Sequence, residues 1–246
     1  MYYGERKVTI DSRLFYFREK LENGFTMTLM VYLFVFTLSV IVYIADIEAH
    51  VLGRVSELSG LLAASRKTPW GIFTSLFVHA NESHLSNNMI ALFVFLLFLV
   101  AVNALLPPAE MKKRIMASSL AIFFVPVLLN LFWILLFPEV RIIGSSGIAY
   151  ALEGSCFGFS LLNALELKRP AAYSFKERKI TVASSLSNIV VCAALLLSLI
   201  VAPDTFLGSS FEIVIWLHAL SFCGGLLSSL LYAMHARTGP ESTVAS

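Results

Sequence analysis

Six apolar stretches divide this 246-residue chain, and each is close to the ~20 residues that an α-helix needs to cross the hydrocarbon core of a bilayer. They cover residues 25–45, 85–106, 114–137, 146–167, 180–202 and 211–235. Hydrophobic residues make up 58% of the chain and charged residues only 14%, against roughly 25% charged residues in soluble domains. The sequence therefore predicts an all-α, polytopic membrane protein with a six-transmembrane-helix bundle.

The segments outside these stretches are short. We expect residues 1–24 to form an N-terminal tail, residues 25–235 the six-span core, and residues 236–246 a C-terminal tail. The connection at 46–77 is too apolar for a hydrated loop and carries Trp70, so we expect it to lie in the membrane interface. The three cysteines fall inside apolar stretches, so they do not indicate a disulfide framework.

The positive charges predict an orientation. With the N-terminus inside, 14 of the 18 Lys and Arg residues fall on the inner side and 4 on the outer side. The positive-inside rule then places both termini in the cytoplasm. The starts of spans two, four and six share the outer face, in a multi-pass protein of the cell membrane. A net charge of +2 without a basic face outside the loops gives no indication of a nucleic-acid partner.

A glycine–serine cluster opens the fourth span. Gly144, Ser145, Ser146 and Gly147 stand where a short loop meets a long apolar segment. A hydroxyl between glycines is accessible, and the unpaired N–H groups at the start of a helix favour an anion. These features are typical of a nucleophilic serine, although Gly and Ser also cap membrane helices. The fourth span is also the least uniformly apolar, so we expect it at the centre of the bundle.

A second polar cluster precedes the second span. His84 and Asn88 are four residues apart and share a helix face, from which both could donate hydrogen bonds to an oxyanion. His79 lies off that face, which suits a supporting role. The alternative is a helix cap with exposed histidines. A metal site at His79, Glu82 and His84 is disfavoured, because this spacing does not converge two imidazoles on one helix face.

The third feature is an ionisable residue inside the sixth span. His218 opens a stripe of small residues that includes Ser221 and Gly225, and small residues let helix backbones approach closely. The complementary surface is the glycine-rich start of span four, which would bring His218 to Ser146 as a general base. Tyr150, one turn after Ser146, could pack on the imidazole and orient it. A structural histidine bonded to another helix is the alternative.

Together these clusters resemble the rhomboid family of intramembrane serine proteases. The resemblance rests on H-x-x-x-x-H-x-x-x-N (His79 to Asn88), on G-x-S-G (Gly144–Gly147), and on His218 followed by Gly225, in this order on these spans. It covers residues 25–235. At Ser221 the family usually has glycine, and the Trp-Arg pair that many members carry in the first loop is absent.

The resemblance implies a catalytic dyad without a cofactor or a metal. Ser146 would be the nucleophile and His218 the general base, and His84 and Asn88 would stabilise the oxyanion. The remaining motif positions would support them: His79, Tyr150, Gly144, Gly147 and Gly225. Substrates would be transmembrane proteins cleaved near the outer face of the lipid bilayer. Span five and the loop 204–212 would form the gate and cap.

Two alternatives to a protease remain open from the sequence. One is a catalytically silent relative that binds membrane clients, although such a protein would usually have lost the serine or the histidine. The other is a small-molecule transporter lined by span four, against which the chain shows no internal inverted repeat. Glu153, seven residues beyond Ser146 and on the same helix face about 10 Å deeper, has no assigned role in any of these interpretations.

Overall fold

The computed structural model describes residues 10–51, 58–104, 106–137, 139, 141–166, 175–201 and 211–238. This part of the chain is all-helical. Its helices are α1 (Ile10–Val51), α2 (Leu58–Leu62), α3 (Gly71–Thr74), α4 (Glu82–Asn103), α5 (Pro108–Leu136), α6 (Ser146–Glu166), α7 (Phe175–Val201) and α8 (Phe211–Thr238). A short 3-10 turn at Ser75–Phe77 follows α3.

Five of these helices are long and apolar enough to cross a membrane. The qualifying segments are Glu22–Val51, Glu82–Asn103, Pro108–Leu136, Ser146–Leu165 and Trp216–His235. The predicted fifth span, residues 180–202, falls on α7, where the described apolar stretch covers only Val182–Ala194. The described part of the chain is therefore all-helical with five helices that could span a membrane, whereas a crossing by α7 and the cytoplasmic termini stay predictions.

Helix α6 occupies the centre of the bundle, as the sequence predicted. In its most apolar 18-residue stretch 72% of the residues are buried, against at most 50% in the corresponding stretches of the other four apolar helices. Its small and polar side chains are the reason, because they can pack against protein on every side but gain little from contact with lipid.

The closest helix contact joins α6 to α8 through small residues. A Cβ at Gly154 would overlap the carbonyl oxygen of Phe222, and a Cβ at Gly225 would overlap that of Ala151. The Ser155 hydroxyl donates to the Gly225 carbonyl at 3.3 Å. The predicted pairing of the two small-residue stripes is therefore confirmed, and it holds the backbones at a separation that larger residues would prevent.

A buried arginine ties three helices together at the opposite end of α6 from Ser146. Arg114 on α5 donates to Glu110 at 3.1 Å and to Asn163 of α6 at 2.9 Å, and its guanidinium lies 5.0 Å from the centre of the Phe159 ring. Tyr232 of α8 donates to the same Glu110 carboxylate at 3.2 Å. This network pairs a charge that would otherwise be costly to bury.

Two boundaries differ from the prediction. Helix α1 already begins at Ile10, inside the segment predicted as a tail, where charged residues such as Arg18 and Glu22 have the i, i+4 spacing that favours a helix. Helix α5 begins at Pro108 rather than at the predicted residue 114, and Pro126 lies in its interior. Of the loop predicted as the cap, residues 204–212, the part at 204–210 lies outside the described residues.

The connection between α1 and α4 is folded. Trp70 donates its indole N–H to the Leu61 carbonyl at 2.8 Å, and Thr74 donates to the Leu62 carbonyl at 2.7 Å. The backbones of Ala64 and Ile142 exchange two hydrogen bonds of 3.0 Å. This connection thereby anchors the loop that leads into Ser146.

Candidate active site

The loop before α6 turns sharply at Gly144. Its φ of +111° is a conformation that residues with a side chain rarely adopt. Its N–H donates to the Ser75 carbonyl at 2.9 Å, and the Asn130 amide of α5 in turn donates to the Ser75 hydroxyl at 3.0 Å. The predicted tight turn is therefore present and is held from two sides.

His84 and Asn88 of α4 both lie against this turn. A Cβ at Gly144 would be 2.8 Å from His84 Cε1, 3.0 Å from its Nε2 and 3.8 Å from Asn88 Nδ2. The Asn81 side chain caps α4 by accepting from the His84 N–H at 2.8 Å. The structure thus brings both predicted oxyanion residues to the start of α6, as the shared helix face indicated.

His79 is buried beside them, with 3% of its surface exposed. Its Nδ1 lies 3.2 Å from the Phe77 carbonyl and its Nε2 lies 2.9 Å from the Ser145 hydroxyl. Its ring packs edge-to-face on His84, with 5.2 Å between centroids. The pKa of His79 is lowered from 6.5 to about 4, mainly by burial and to a lesser extent by the neighbouring His84. The ring is therefore neutral at physiological pH.

Helix α8 brings His218 to the same place. Its ring stacks on Tyr150, with 4.2 Å between centroids and 23° between planes. Tyr150 follows Ser146 by four residues in α6, one helical turn or about 6 Å along the axis. The predicted stack between Tyr150 and His218 is therefore present, and it places the imidazole one turn from Ser146.

Gly147 allows α6 to pack closely at this level. A Cβ there would lie 3.1 Å from the Pro126 ring of α5 and 3.5 Å from the Ser221 hydroxyl of α8. Ser221 therefore fits the helix contact, at the position where the family that the sequence resembles usually has glycine.

The two adjacent serines have different environments. Ser145 is 2% exposed and is bonded to His79, whereas Ser146, the first residue of α6, is half-buried. The structure records no hydrogen bond between Ser146 and His218. Catalytic hydrogen bonds are often formed only when substrate binds.

Two of the buried polar atoms that have no hydrogen-bond partner belong to this region. Asn88 Nδ2 and His218 Nδ1 have no hydrogen-bond partner among the described residues, although only 9% of the Asn88 surface and 5% of the His218 surface is exposed. Unsatisfied buried groups are rare and need an explanation. Here they give the site an unused donor, Asn88 Nδ2, and the His218 imidazole one helical turn from Ser146. Acyl transfer requires groups of these kinds.

Sequence reasoning missed the bond between Ser145 and His79. The histidine was expected to be supporting, but no pattern connects residues 66 positions apart in a chain. It also left Glu153 unexplained, and the structure buries this carboxyl at 1% exposure with Oε1 unpartnered. The nearby Cys192 thiol of α7 approaches the Glu153 carbonyl oxygen at 4.0 Å.

Comparison with known proteins leaves the family open: no protein-family model matches the chain, and no curated protein matches it. Within the described ranges, no group of three His, Cys, Asp or Glu side chains could hold a metal ion. The chemistry of the site must therefore be argued from its own geometry.

Proposed function

We propose that the protein is an intramembrane serine protease of the rhomboid type, with Ser146 as nucleophile and His218 as general base. The observation that carries the proposal is the stack of His218 on Tyr150, one turn along α6 from Ser146. This arrangement joins the two residues through the most closely packed helix pair of the bundle. An ionisable side chain inside a membrane helix is costly, and a base for a nearby serine gives it a purpose.

In this mechanism Ser146 Oγ attacks the carbonyl carbon of a peptide bond while His218 takes the hydroxyl proton. The carbon–nitrogen bond then breaks, and His218 returns the proton to the leaving amine. Water attacks the resulting ester by the same route, which restores Ser146 and releases the acid. His218 thus serves as base and acid in turn.

The oxyanion of each tetrahedral intermediate needs fixed donors. The free Asn88 Nδ2 and the His84 ring lie at Gly144, two residues before the nucleophile, and the N–H of Ser146 completes the set. A donor that has no partner in the resting protein can bind the oxyanion without first breaking a bond, which is the preorganisation that such catalysis requires.

The substrates in this proposal are transmembrane proteins whose helix unwinds near the site, because an intact helix hides its carbonyl groups. We further propose six crossings, of which α7 is the fifth in chain order, cytoplasmic termini, and a site toward the outer face of the cell membrane. The charge distribution supports this orientation. Water for the second step would enter from that face.

The proposal is tested by labelling the detergent-purified protein with a fluorophosphonate probe, which requires no known substrate. We expect labelling of the wild type and its loss in Ser146→Ala and in His218→Ala. Ser86→Ala, an exposed serine of α4, and His235→Ala, on the same helix as His218, serve as matched controls that keep labelling.

An absence of labelling in wild type, with this probe and with a smaller serine-reactive one, would contradict a protease and favour a silent client-binding protein. Loss of labelling in Ser146→Ala alone would keep the nucleophile but reject His218 as its base. Cleavage of a transmembrane substrate in liposomes by wild type, and not by Ser146→Ala, would then establish the reaction.

A further inference from the structure

Ser145 occupies the N-cap position of α6 but does not cap the helix with its side chain. Its carbonyl accepts the first hydrogen bond of the helix, from the Ala149 N–H at 3.2 Å. A serine at this position normally turns its hydroxyl onto the N–H groups two or three residues on, here Gly147 and Ile148. In this structure the hydroxyl bonds to His79 instead.

The direction of that bond follows from the other end of the imidazole. Nδ1 of His79 faces the Phe77 carbonyl at 3.2 Å, and a carbonyl can only accept, so Nδ1 carries the proton. Nε2 of the neutral ring is then an acceptor, and the Ser145 hydroxyl donates to it at 2.9 Å. Ser145 and His79 are 2% and 3% exposed, so water does not compete for either group.

We propose that His79 is a positioning residue which holds the Ser145 hydroxyl away from the first turn of α6 and so keeps that turn open for an anionic oxygen. By holding the Ser145 hydroxyl, His79 prevents it from capping the N–H groups of Gly147 and Ile148. Those groups point toward the N-terminal end of the helix, where Ser146 begins it, and the free Asn88 Nδ2 lies on the same side. This inference rests on the proposed function, since the anionic oxygen is the oxyanion formed at Ser146.

The packing around His79 supports this role. Its ring lies edge-to-face against His84, whose backbone is held by the Asn81 cap and whose ring fills the space beside Gly144. His79 is thus held by the His84 ring and by its bond to the Phe77 carbonyl, and it cannot follow the Ser145 hydroxyl if that hydroxyl rotates toward the helix.

The test is a double-mutant cycle on the second-order rate constant for fluorophosphonate labelling of Ser146. In His79→Phe the freed Ser145 hydroxyl caps the helix and competes with the oxyanion, so we expect labelling about fivefold slower, the factor that corresponds to a typical capping energy. Adding Ser145→Ala removes the cap and should raise the rate about fivefold in that background. Ser145→Ala in wild type should change the rate less than about twofold, because the hydroxyl is already diverted.

His79→Gln provides a conservative rescue, because its amide can still bond to the Ser145 hydroxyl, and it should label at nearly the wild-type rate. It also serves if His79→Phe does not fold, as judged by thermal unfolding and size-exclusion chromatography. If the pair were purely structural, every variant would lose thermal stability, and adding Ser145→Ala to His79→Phe would not raise the labelling rate.

The outcomes separate the two proposals. Labelled wild-type protein in which Ser145→Ala has the same effect on rate in both backgrounds overturns this inference and leaves the protease in place. The same holds if His79→Gln labels as slowly as His79→Phe. A wild type without labelling at Ser146 overturns the protease and this inference together.

Discussion

The contact between α6 and α8 makes a sharp prediction for Gly225→Ala. The new Cβ would overlap the carbonyl oxygen of Ala151, a backbone atom that cannot rotate away, and Gly154 meets the Phe222 carbonyl equally closely across the same interface. Neither helix can yield without moving as a whole. The substitution must therefore push the two helices apart.

The size of the effect follows from the geometry. Relieving an overlap with a backbone atom requires a separation on the order of 1 Å, and overpacking of this kind costs about 1–3 kcal/mol of stability. Gly225 follows His218 by seven residues, two turns or about 10 Å along α8, so the displacement carries to the imidazole. A misplacement of about 1 Å between reacting groups costs about 100-fold in rate.

The assay is fluorophosphonate labelling at a temperature well below the unfolding transition of each variant. Gly224→Ala is the matched control, because it is the adjacent residue in the same helix and the three atoms nearest to its Cβ would belong to the Val125 side chain of α5 rather than to the α6 backbone. We expect Gly225→Ala to label about 100-fold more slowly and Gly224→Ala to stay within about threefold of wild type. Equal rates in the two variants would refute the argument that this contact positions His218.

Three further predictions concern the site. Asn88→Leu should slow labelling about 100-fold without loss of stability, since its Nδ2 has no partner to lose. Asn130→Leu breaks bonds to Ile72 and Ser75 and should lower stability by about 1–3 kcal/mol, and thermal unfolding distinguishes the two variants. Tyr150→Phe keeps the ring stack and should label within about threefold of wild type, whereas Tyr150→Leu should label up to about tenfold more slowly. Similar rates for both variants would contradict the view that the stack orients His218. The pKa of His79 lies at about 4 in the folded protein and near 6.5 in the unfolded chain, so the unfolded state binds more protons between these values. Stability therefore falls as pH drops through this window, by about 3 kcal/mol in all, and in His79→Phe this component should be absent from the pH dependence of unfolding.

Much of the bundle could be predicted from the sequence because the membrane imposes strong rules. Apolar stretches of about 20 residues have few alternatives to a helix, and five of the predicted spans correspond to long apolar helices. Glycine placement was also informative, because residues such as Gly154 and Gly225 have little reason to be in a lipid-facing helix. The central position of α6 and its contact with α8 followed from these patterns.

Other features could not be read in this way. The early start of α1 at Ile10 depends on weak preferences of charged residues, which a hydropathy pattern does not register. The folding of the connection between α1 and α4 depends on single hydrogen bonds such as that of the Trp70 indole to the Leu61 carbonyl. Bonds of this kind join residues that no periodicity relates.

The polar groups of the site divide into two sets, and the division could not have been made without the structure. Those of Ser145, His79 and Asn130 are bonded to the protein, and they fix the loop that carries Ser146. Those of Asn88 and His218 retain an unpartnered atom although they are buried. A bonded group gains its energy on folding, whereas an unbonded one is costly until a ligand or a transition state meets it. In the sequence, Ser145, His79, Asn88 and His218 are polar residues of the three motif clusters and nothing separates them, but only the second set has free atoms to offer a substrate. Substitutions in the two sets should therefore affect stability and labelling differently.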